Sequence, residues 1–379
     1  EQLAKLSKEN SEFLLASENF LAEQLEKAEA PLKFASTPSS FLIKGWIPTE
    51  NLHASIDRLN KAGKNKIFVH FEPAKNEDKV PVKLKNPRFA KPFEFFIDLY
   101  SFPVYREIDP TFFVFLTFPI FFGIMLGDIG YGIVSLLFFW ILKKKMPKAR
   151  NFFNILLLAS FVSIIFGLFY GEFFGEEKIL EFELPHLLSR VHDMFTLLYL
   201  AIGIGVVHVN IGLVIGFINE LKSHGLKMAL YGKASWFILQ IGIALLVLNY
   251  LKIVSISPLM GAFFLAISIL MLIKSEGFIT PIEILGLFSN ILSYARLMAI
   301  GLSSVSLAVV INESAKEFFH KGGFFILIGV LILIIGHLIN LLLGLLGSFL
   351  HSLRLHYVEF FSKFFHGGAK KYQPFGAKE

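Results

Sequence analysis

Cysteine is absent from the 379-residue chain, which excludes disulfides, cysteine-ligated zinc, iron–sulfur clusters and thiol catalysis. Charge is scarce as well, since Asp, Glu, Lys and Arg make up 17% of the residues, against about 25% in soluble globular proteins. This excludes an ordinary soluble enzyme. A disordered chain is equally excluded, because 54% of the residues are hydrophobic and 44 are phenylalanine. The net charge is +6 and the sequence pI is about 9.2. In so apolar a chain the position of the basic residues matters more than their sum, and no nucleic-acid partner is expected.

Composition shifts along the chain. Residues 1–92 read as part of a soluble domain. Leu3, Leu6, Phe13 and Phe20, with Leu14, Leu21 and Leu25, recur at helical spacing between charges and stop at Pro31, which predicts one amphipathic helix, an arm of a coiled coil or helical hairpin. An apolar run ending in Gly45-Trp46-Ile47-Pro48, a helix from Glu50 to Ala62 and an alternating strand from Lys66 to Glu72 follow; together they predict a β-α-β fragment. The chain opens in mid-helix without methionine or a signal-peptide pattern, which implies that part of this domain lies outside it. Residues 93–111 read as a linker, 112–366 as a membrane domain and 367–379 as a polar tail.

Long apolar runs give eight expected spans, near 112–127, 129–142, 152–170, 196–218, 234–251, 258–273, 281–311 and 324–361. Phe112 to Leu142 divides in two at Asp128. The basic loop with Lys143, Lys144, Lys145, Lys148 and Arg150 belongs in the cytoplasm, and an even number of crossings must separate it from a cytoplasmic N-terminal domain. Residues 171–195 carry Glu172, Glu176, Glu177, Glu181, Glu183 and Asp193 against Lys178 and Arg190, as expected outside; 219–233 and the tail are basic, as expected inside. Both termini then lie in the cytoplasm. The last two spans are roughly 45–55 Å long at 1.5 Å per residue and must tilt or extend beyond a core about 30 Å thick.

Two arginines lie in those last spans. Arg296 sits deep in a helix whose neighbouring turns carry Gly286, Ser289, Ser293 and Ser303, while Asn340, Gly344, Gly347, His351 and Arg354 form a second small, polar stripe. A charge at mid-membrane is costly and must face protein or water. Arginine keeps its charge at any accessible pH, so it can attract a passing carboxylate, hold it ionised and drive off a bound proton or sodium ion. The alternative is a structural pairing with an internal acid such as Glu283 or Glu359.

Leu292-Ser-Tyr-Ala-Arg-Leu297, His351-Ser-Leu-Arg-Leu-His-Tyr-Val-Glu-Phe-Phe-Ser-Lys-Phe-Phe365, Phe122-Gly-Ile-Met-Leu-Gly-Asp-Ile-Gly-Tyr-Gly132 and Pro92-Phe-Glu…Tyr105-Arg-Glu-Ile-Asp-Pro-Thr111 resemble the rotary V/A-type ATPases. The match is to their membrane stator subunit, subunit a in eukaryotes and subunit I in prokaryotes, over roughly residues 80–375. The resemblance implies a mainly α-helical, polytopic fold of eight transmembrane helices behind a partial cytoplasmic α/β and coiled-coil domain, in a prokaryotic cell membrane. It implies a rotating proteolipid ring (c or K) against the last two helices and two aqueous half-channels separated by Arg296 and Arg354. It further implies peripheral-stalk subunits E and G or H at the cytoplasmic domain, a central-stalk subunit d or C, and proton or sodium translocation coupled to ATP hydrolysis or synthesis elsewhere in the assembly.

The resemblance is not residue for residue. Eukaryotic members carry glutamate where this chain has Gly344 and histidine where it has Ser304, and both changes favour a prokaryotic-type subunit. Half-channel candidates are Glu283, Asn290, Ser293, His337, Asn340, His351, His356 and Glu359. Gly127, Asp128 and Gly130 are expected to build a structural hairpin at the membrane surface, with Asp128 capping the next helix. No cofactor or metal is expected. The segment Gly225 to Ala234 has six residues between its glycines where a phosphate loop has four, and alanine where magnesium needs Ser or Thr. The competing function is a secondary ion transporter, which should show internal repeats; the only echo is Leu-x-x-x-Arg-Leu at 292–297 and 350–355.

Overall fold

The computed structural model describes residues 2–64, 66–75, 79–179, 182–254 and 257–375. The chain divides into two compact units, residues 1–83 with 368–379, and residues 84–367.

In the first unit, α1 (Gln2–Glu29) runs into a single 3₁₀ turn at Ala30–Lys33 that contains Pro31, where the missing N–H cannot continue the helix. Of its apolar stripe, Phe13, Phe20 and Leu21 are all exposed. A two-residue antiparallel hairpin joins β1 (Ala35–Ser36) to β2 (Phe41–Leu42), and α2 (Leu52–Ala62) closes at Gly63, whose N–H donates to Leu59 O at 2.8 Å. The expected strand Lys66–Glu72 does not form: its described residues are extended but join no ladder. Alternation supplies a face, yet a strand needs a second backbone to bond. The β-α-β fragment is therefore corrected to a hairpin and a helix. Lys371 in the tail bridges Val82 in parallel.

The second unit is helical. It comprises α3 (Glu94–Tyr100), α4 (Thr111–Leu126), α5 (Ile129–Lys145), α6 (Arg150–Tyr170), the short hairpin β3 (Lys178–Ile179) and β4 (Phe182–Glu183), and α7 (Met194–His224). Then follow α8 (Leu226–Ala229), a π-helical turn at Leu230–Ala234, α9 (Ser235–Tyr250), α10 (Pro258–Glu276), α11 (Thr280–Leu292), α12 (Ala295–Lys321) and α13 (Phe325–Arg354). Among the described residues six stretches are long and apolar enough to cross a membrane: Pro147–Tyr170, Met194–His224, Leu226–Tyr250, Pro258–Ser275, Gly277–Lys321 and Phe325–Lys363. The two arms of the expected hairpin, α4 and α5, have 16 and 17 residues and fall short of that length.

Four details differ from the expectations. Residues 93–111 are no linker, because Phe93, Phe96 and Ile97 are buried in the core of this unit. The basic segment 219–233 is helical on both sides of Gly225, whose φ of 86° makes the only break. The long helix at 281–311 is interrupted at Ser293–Tyr294. There the Ser293 hydroxyl donates back to Ser289 O at 2.9 Å, a bond that competes with the backbone ladder, and tighter i→i+3 bonds follow, such as Leu297 N–H to Tyr294 O at 2.9 Å. Past Arg354 the last helix widens into a π-helical segment, Leu355–Phe360, and ends in a 3₁₀ turn at Phe361–Lys363.

Phenylalanine fills the core. The rings of Phe96 and Phe118 lie 4.8 Å apart and those of Phe113 and Phe360 6.3 Å, joining α3 to α4 and α4 to the final turns by tilted ring contacts. Where lipid offers no hydrophobic drive, helices associate through small residues. At Gly167 of α6 a Cβ would meet Ile129 N at 2.4 Å, so only glycine lets α6 approach the start of α5.

Candidate functional site

The interruption at Ser293–Tyr294 makes Arg296 the second residue of α12, and the π-helical segment after Arg354 carries Glu359 inward, where it is 1% exposed. One carboxylate oxygen, Glu359 Oε1, stands 3.7 Å from Arg296 Nη1 and 4.0 Å from Arg354 Nε. These distances allow Coulomb attraction but exceed hydrogen-bond range. Arg296 Nη1 and Glu359 Oε2 are buried with no hydrogen-bond partner, and Ser293 and His351 border the cluster. Arg296 is mostly covered, whereas Arg354 is more than half exposed. The structural pairing foreseen for Arg296 thus exists in a loose form: the charges are near, yet one buried donor, Arg296 Nη1, and one buried acceptor, Glu359 Oε2, are left unsatisfied. Buried polar groups without partners are expensive, so the cluster is chemically ready to accept another carboxylate or water.

A second group lies farther along α12 and α13, with Ser304 about 12 Å above Arg296 by helical rise. Asn340 donates through Nδ2 to Tyr131 Oη (2.8 Å) and to Ser304 O (2.9 Å). His337 bonds Tyr131 Oη through Nδ1 at 2.7 Å and Asn312 Oδ1 through Nε2 at 2.8 Å, and Asn312 Nδ2 donates to Phe174 O. Bond parity assigns the hydrogens. Asn312 Oδ1 can only accept, so His337 Nε2 donates, leaving Nδ1 to accept from the Tyr131 hydroxyl. The seam is a directed chain from Asn340 to Phe174. It ends beside a cavity of about 340 Å³ lined by Glu172, Glu176, Glu313 and Lys316 among others. Gly344 faces the same place: a Cβ there would lie 3.6 Å from Ser304 Oγ. The two departures from the eukaryotic pattern are therefore neighbours in space.

A third group sits at the opposite end. The Asn290 amide oxygen accepts from Lys363 Nζ at 2.6 Å while its nitrogen donates to Gly286 O, and Glu283 lies within electrostatic reach of the same lysine. His356 belongs to none of the three. It is fully buried, with Nδ1–H donating to Ser352 O at 2.7 Å and Nε2 at hydrogen-bond distance, 2.6 Å, from the Thr117 hydroxyl, and its ring lies 5.3 Å from that of His208. His208 Nδ1 bonds the Tyr294 hydroxyl at 2.6 Å. Thr117 and His208 lie among apolar neighbours, where a polar side chain carries no spacing signal, while Asn312 sits in the polar run Asn312-Glu313-Ser314 and Tyr131 in the glycine-rich hairpin motif, so neither reads as part of a seam from sequence.

The strongest ionic contact was also missed. Arg190, 3% exposed, forks onto the buried Glu172, with Nε donating to Oε1 at 3.0 Å and Nη2 to Oε2. It also donates to Gly127 O (2.8 Å), Met125 O (3.3 Å) and Gly301 O (3.4 Å), so it caps the carbonyl end of α4. Burial pushes the Glu172 carboxyl up, and Arg190 opposes that shift. Next to it, Asp128 Oδ1 accepts from Tyr131 N–H and Oδ2 from Gly175 N–H, both at 2.8 Å, which caps α5 and ties the loop carrying Gly175 to the start of that helix. Gly127 turns the chain between the two helices, and a Cβ at Gly130 would strike the Phe174 ring. The topology argument counted Arg190 and Glu172 only as loop charges. Among the described residues no group of three or more His, Asp or Glu side chains could hold a metal ion.

A sequence model of the V-type ATPase 116kDa subunit family matches residues 29–180 and 272–377. Over 96% of its length the chain is 35% identical to the A-type ATP synthase subunit I of Archaeoglobus fulgidus, covering 62% of that protein. It is 33% identical over its whole length to the namesake of Methanothermobacter thermautotrophicus, covering 58%. The V-type ATP synthase subunit I of Chlamydia pneumoniae is 23% identical over 88% of the chain, which spans 60% of that relative. The chain thus spans about three-fifths of the relatives it matches. With its apolar helices it is a membrane protein, and it belongs to the V-type ATPase 116kDa subunit family.

Proposed function

We propose that this chain is the ion-translocating part of the membrane stator of a rotary A/V-type ATPase, without ATP chemistry of its own. In this reading α4 and α5 cross as a short hairpin, giving eight crossings with both termini cytoplasmic. The outer seam through Asn312, His337, Tyr131 and Asn340 approaches the arginines from one side, and the group around Glu283, Asn290 and Lys363 approaches from the other, so the two half-channels meet at Arg296. The proteolipid ring runs against the exposed stripe Leu338, Leu342, Leu346 and Leu350, which ends at Arg354. The first unit docks on peripheral-stalk subunits, and a central-stalk subunit completes the coupling to soluble catalytic subunits.

The observation that carries this reading is Arg296: a permanent cation in a membrane helix, held near Glu359 at 3.7 Å, with a buried N–H left without a hydrogen-bond partner. A ring carboxylate arriving there supplies the missing acceptor and loses its proton or sodium ion. Arg296→Ala in the intact complex should abolish ion pumping in proteoliposomes while assembly persists, and Arg354→Ala should leave a partial rate. Pumping at the wild-type rate in Arg296→Ala would refute the mechanism. A secondary transporter is the second reading, favoured by the helix break beside Arg296; ion uptake by the isolated chain in proteoliposomes would establish it instead.

A further inference from the structure

Behind α12, on a wall formed by Leu297, Met298 and Gly301, lies an apolar cavity of about 320 Å³ enclosed by α4, α6, α7 and the segment carrying Leu187 and Arg190. It is roughly twice the ~150 Å³ apolar cavity that accepts benzene, and at about 30 Å³ per heavy atom it holds roughly ten carbons. Ala201 and Leu297 form its closed floor, 3% and 0% exposed, while Phe169, Leu187 and Leu200 stand exposed at its mouth. Along α7 the lining runs from Leu197 to Ile204, about 10 Å of helix, starting one turn from the outer loop.

We propose that this cavity holds one hydrocarbon chain of a membrane lipid, drawn from the leaflet on the side of the 171–195 loop. Water does not suit it, because a buried water needs two to four polar partners, and the polar side chains of the lining are Arg190, committed to Glu172 and three carbonyls, and the single Tyr170 hydroxyl. Of the mouth residues, Phe169 and Leu200 belong to helices long and apolar enough to span a bilayer and Leu187 to the loop between them, so the acyl chains of the adjoining leaflet lie in front of it. A void beside such a medium forfeits dispersion contacts that a chain restores. Because one wall of the cavity is the first two turns of α12, the chain acts as a prop behind the residues that directly follow Arg296.

The test uses the purified membrane assembly reconstituted with a phospholipid that bears a diazirine near the middle of one acyl chain. After illumination, adducts should map to Ala201 or Leu297, both buried, which lipid merely surrounding the protein cannot reach. Adducts confined to Phe169, Leu187 and Leu200 would overturn the proposal. Ala201→Trp and, separately, Leu302→Phe fill the cavity and should lower the inner adducts by about tenfold while the outer ones stay; inner labelling that persists in both would also overturn it.

Discussion

Replacing Arg190 by methionine should destabilise the membrane unit more than any surface change. The substitution removes a bidentate ion pair at a site where both partners are at most 3% exposed, and it leaves the Glu172 carboxylate buried without a counter-charge, a loss of about 3–5 kcal/mol. It also strips the donor from Gly127 O and from the longer contacts at Met125 O and Gly301 O, adding about 1–3 kcal/mol. Glu172→Met alone should lose a similar amount, because the guanidinium then stays buried and unpaired. The double variant has no stranded charge and should lose only the carbonyl part, so the two effects fall short of additivity by several kcal/mol. The assay is the unfolding midpoint of the purified protein at a fixed scan rate, where about 3–5 kcal/mol corresponds to roughly 6–20 °C.

A pH arm checks the same reasoning. Burial raises the Glu172 carboxyl and Arg190 counteracts it, so in Arg190→Met the folded-state value climbs further above the unfolded one. A raised acid contributes stability at low pH that is lost as pH rises through its folded value. The Arg190→Met deficit should therefore shrink as pH is lowered from about 8 toward about 5. Strictly additive single effects, or a deficit independent of pH, would refute the pairing as the source of stability.

Asp128→Ala should lower the unfolding midpoint by the equivalent of about 2–4 kcal/mol, since it removes the cap on α5 and strands the Gly175 N–H; Asp128→Asn, keeping one acceptor, should lose less. His337→Phe breaks two links of the outer seam and leaves Tyr131 and Asn312 without that partner, so pumping by reconstituted complex should slow while native-gel assembly stays normal; an unchanged rate would remove the seam from the ion path. Gly167→Ala places a Cβ 2.4 Å from Ile129 N and should abolish stable expression, whereas Gly203→Ala, with nothing within 4 Å, should be neutral or gain about 0.5–1 kcal/mol. Equal behaviour of the two glycine variants, read by yield and unfolding midpoint, would refute the close approach of α6 to α5.

Periodicity and punctuation made most helices legible before any coordinates. Pro31 ends α1, Gly63 closes α2, and the apolar runs follow α6, α7, α9 and α10 to within a few residues. The strand at 66–72 was misread because alternation encodes a face without a partner to bond. The break at Ser293–Tyr294 was invisible because both residues keep near-helical dihedrals, with φ of −60° and −73°; only the rerouted hydrogen bonds mark it. In the candidate site the charged members stood out, since charge in an apolar helix is rare, and the two arginines were found to share one carboxylate. Arg190 eluded the reading because an arginine in an acidic loop looks solvated until the loop is seen folded back onto the end of α4.

The widened turn at Leu355–Phe360 changes which residues share a side of the last helix. At 3.6 residues per turn, positions five apart point about 140° away from each other, and helical-wheel reasoning would set Arg354 and Glu359 on different faces. A π-helical turn closes on the fifth residue and brings them within 4.0 Å. Ordinary winding over the same residues would swing Glu359 out of reach of Arg354, whereas deleting one residue between Leu355 and Val358 would leave the two four positions apart, about 40° on an ordinary helix, and should keep them paired. Helix pitch, as much as residue identity, is what assembles this cluster.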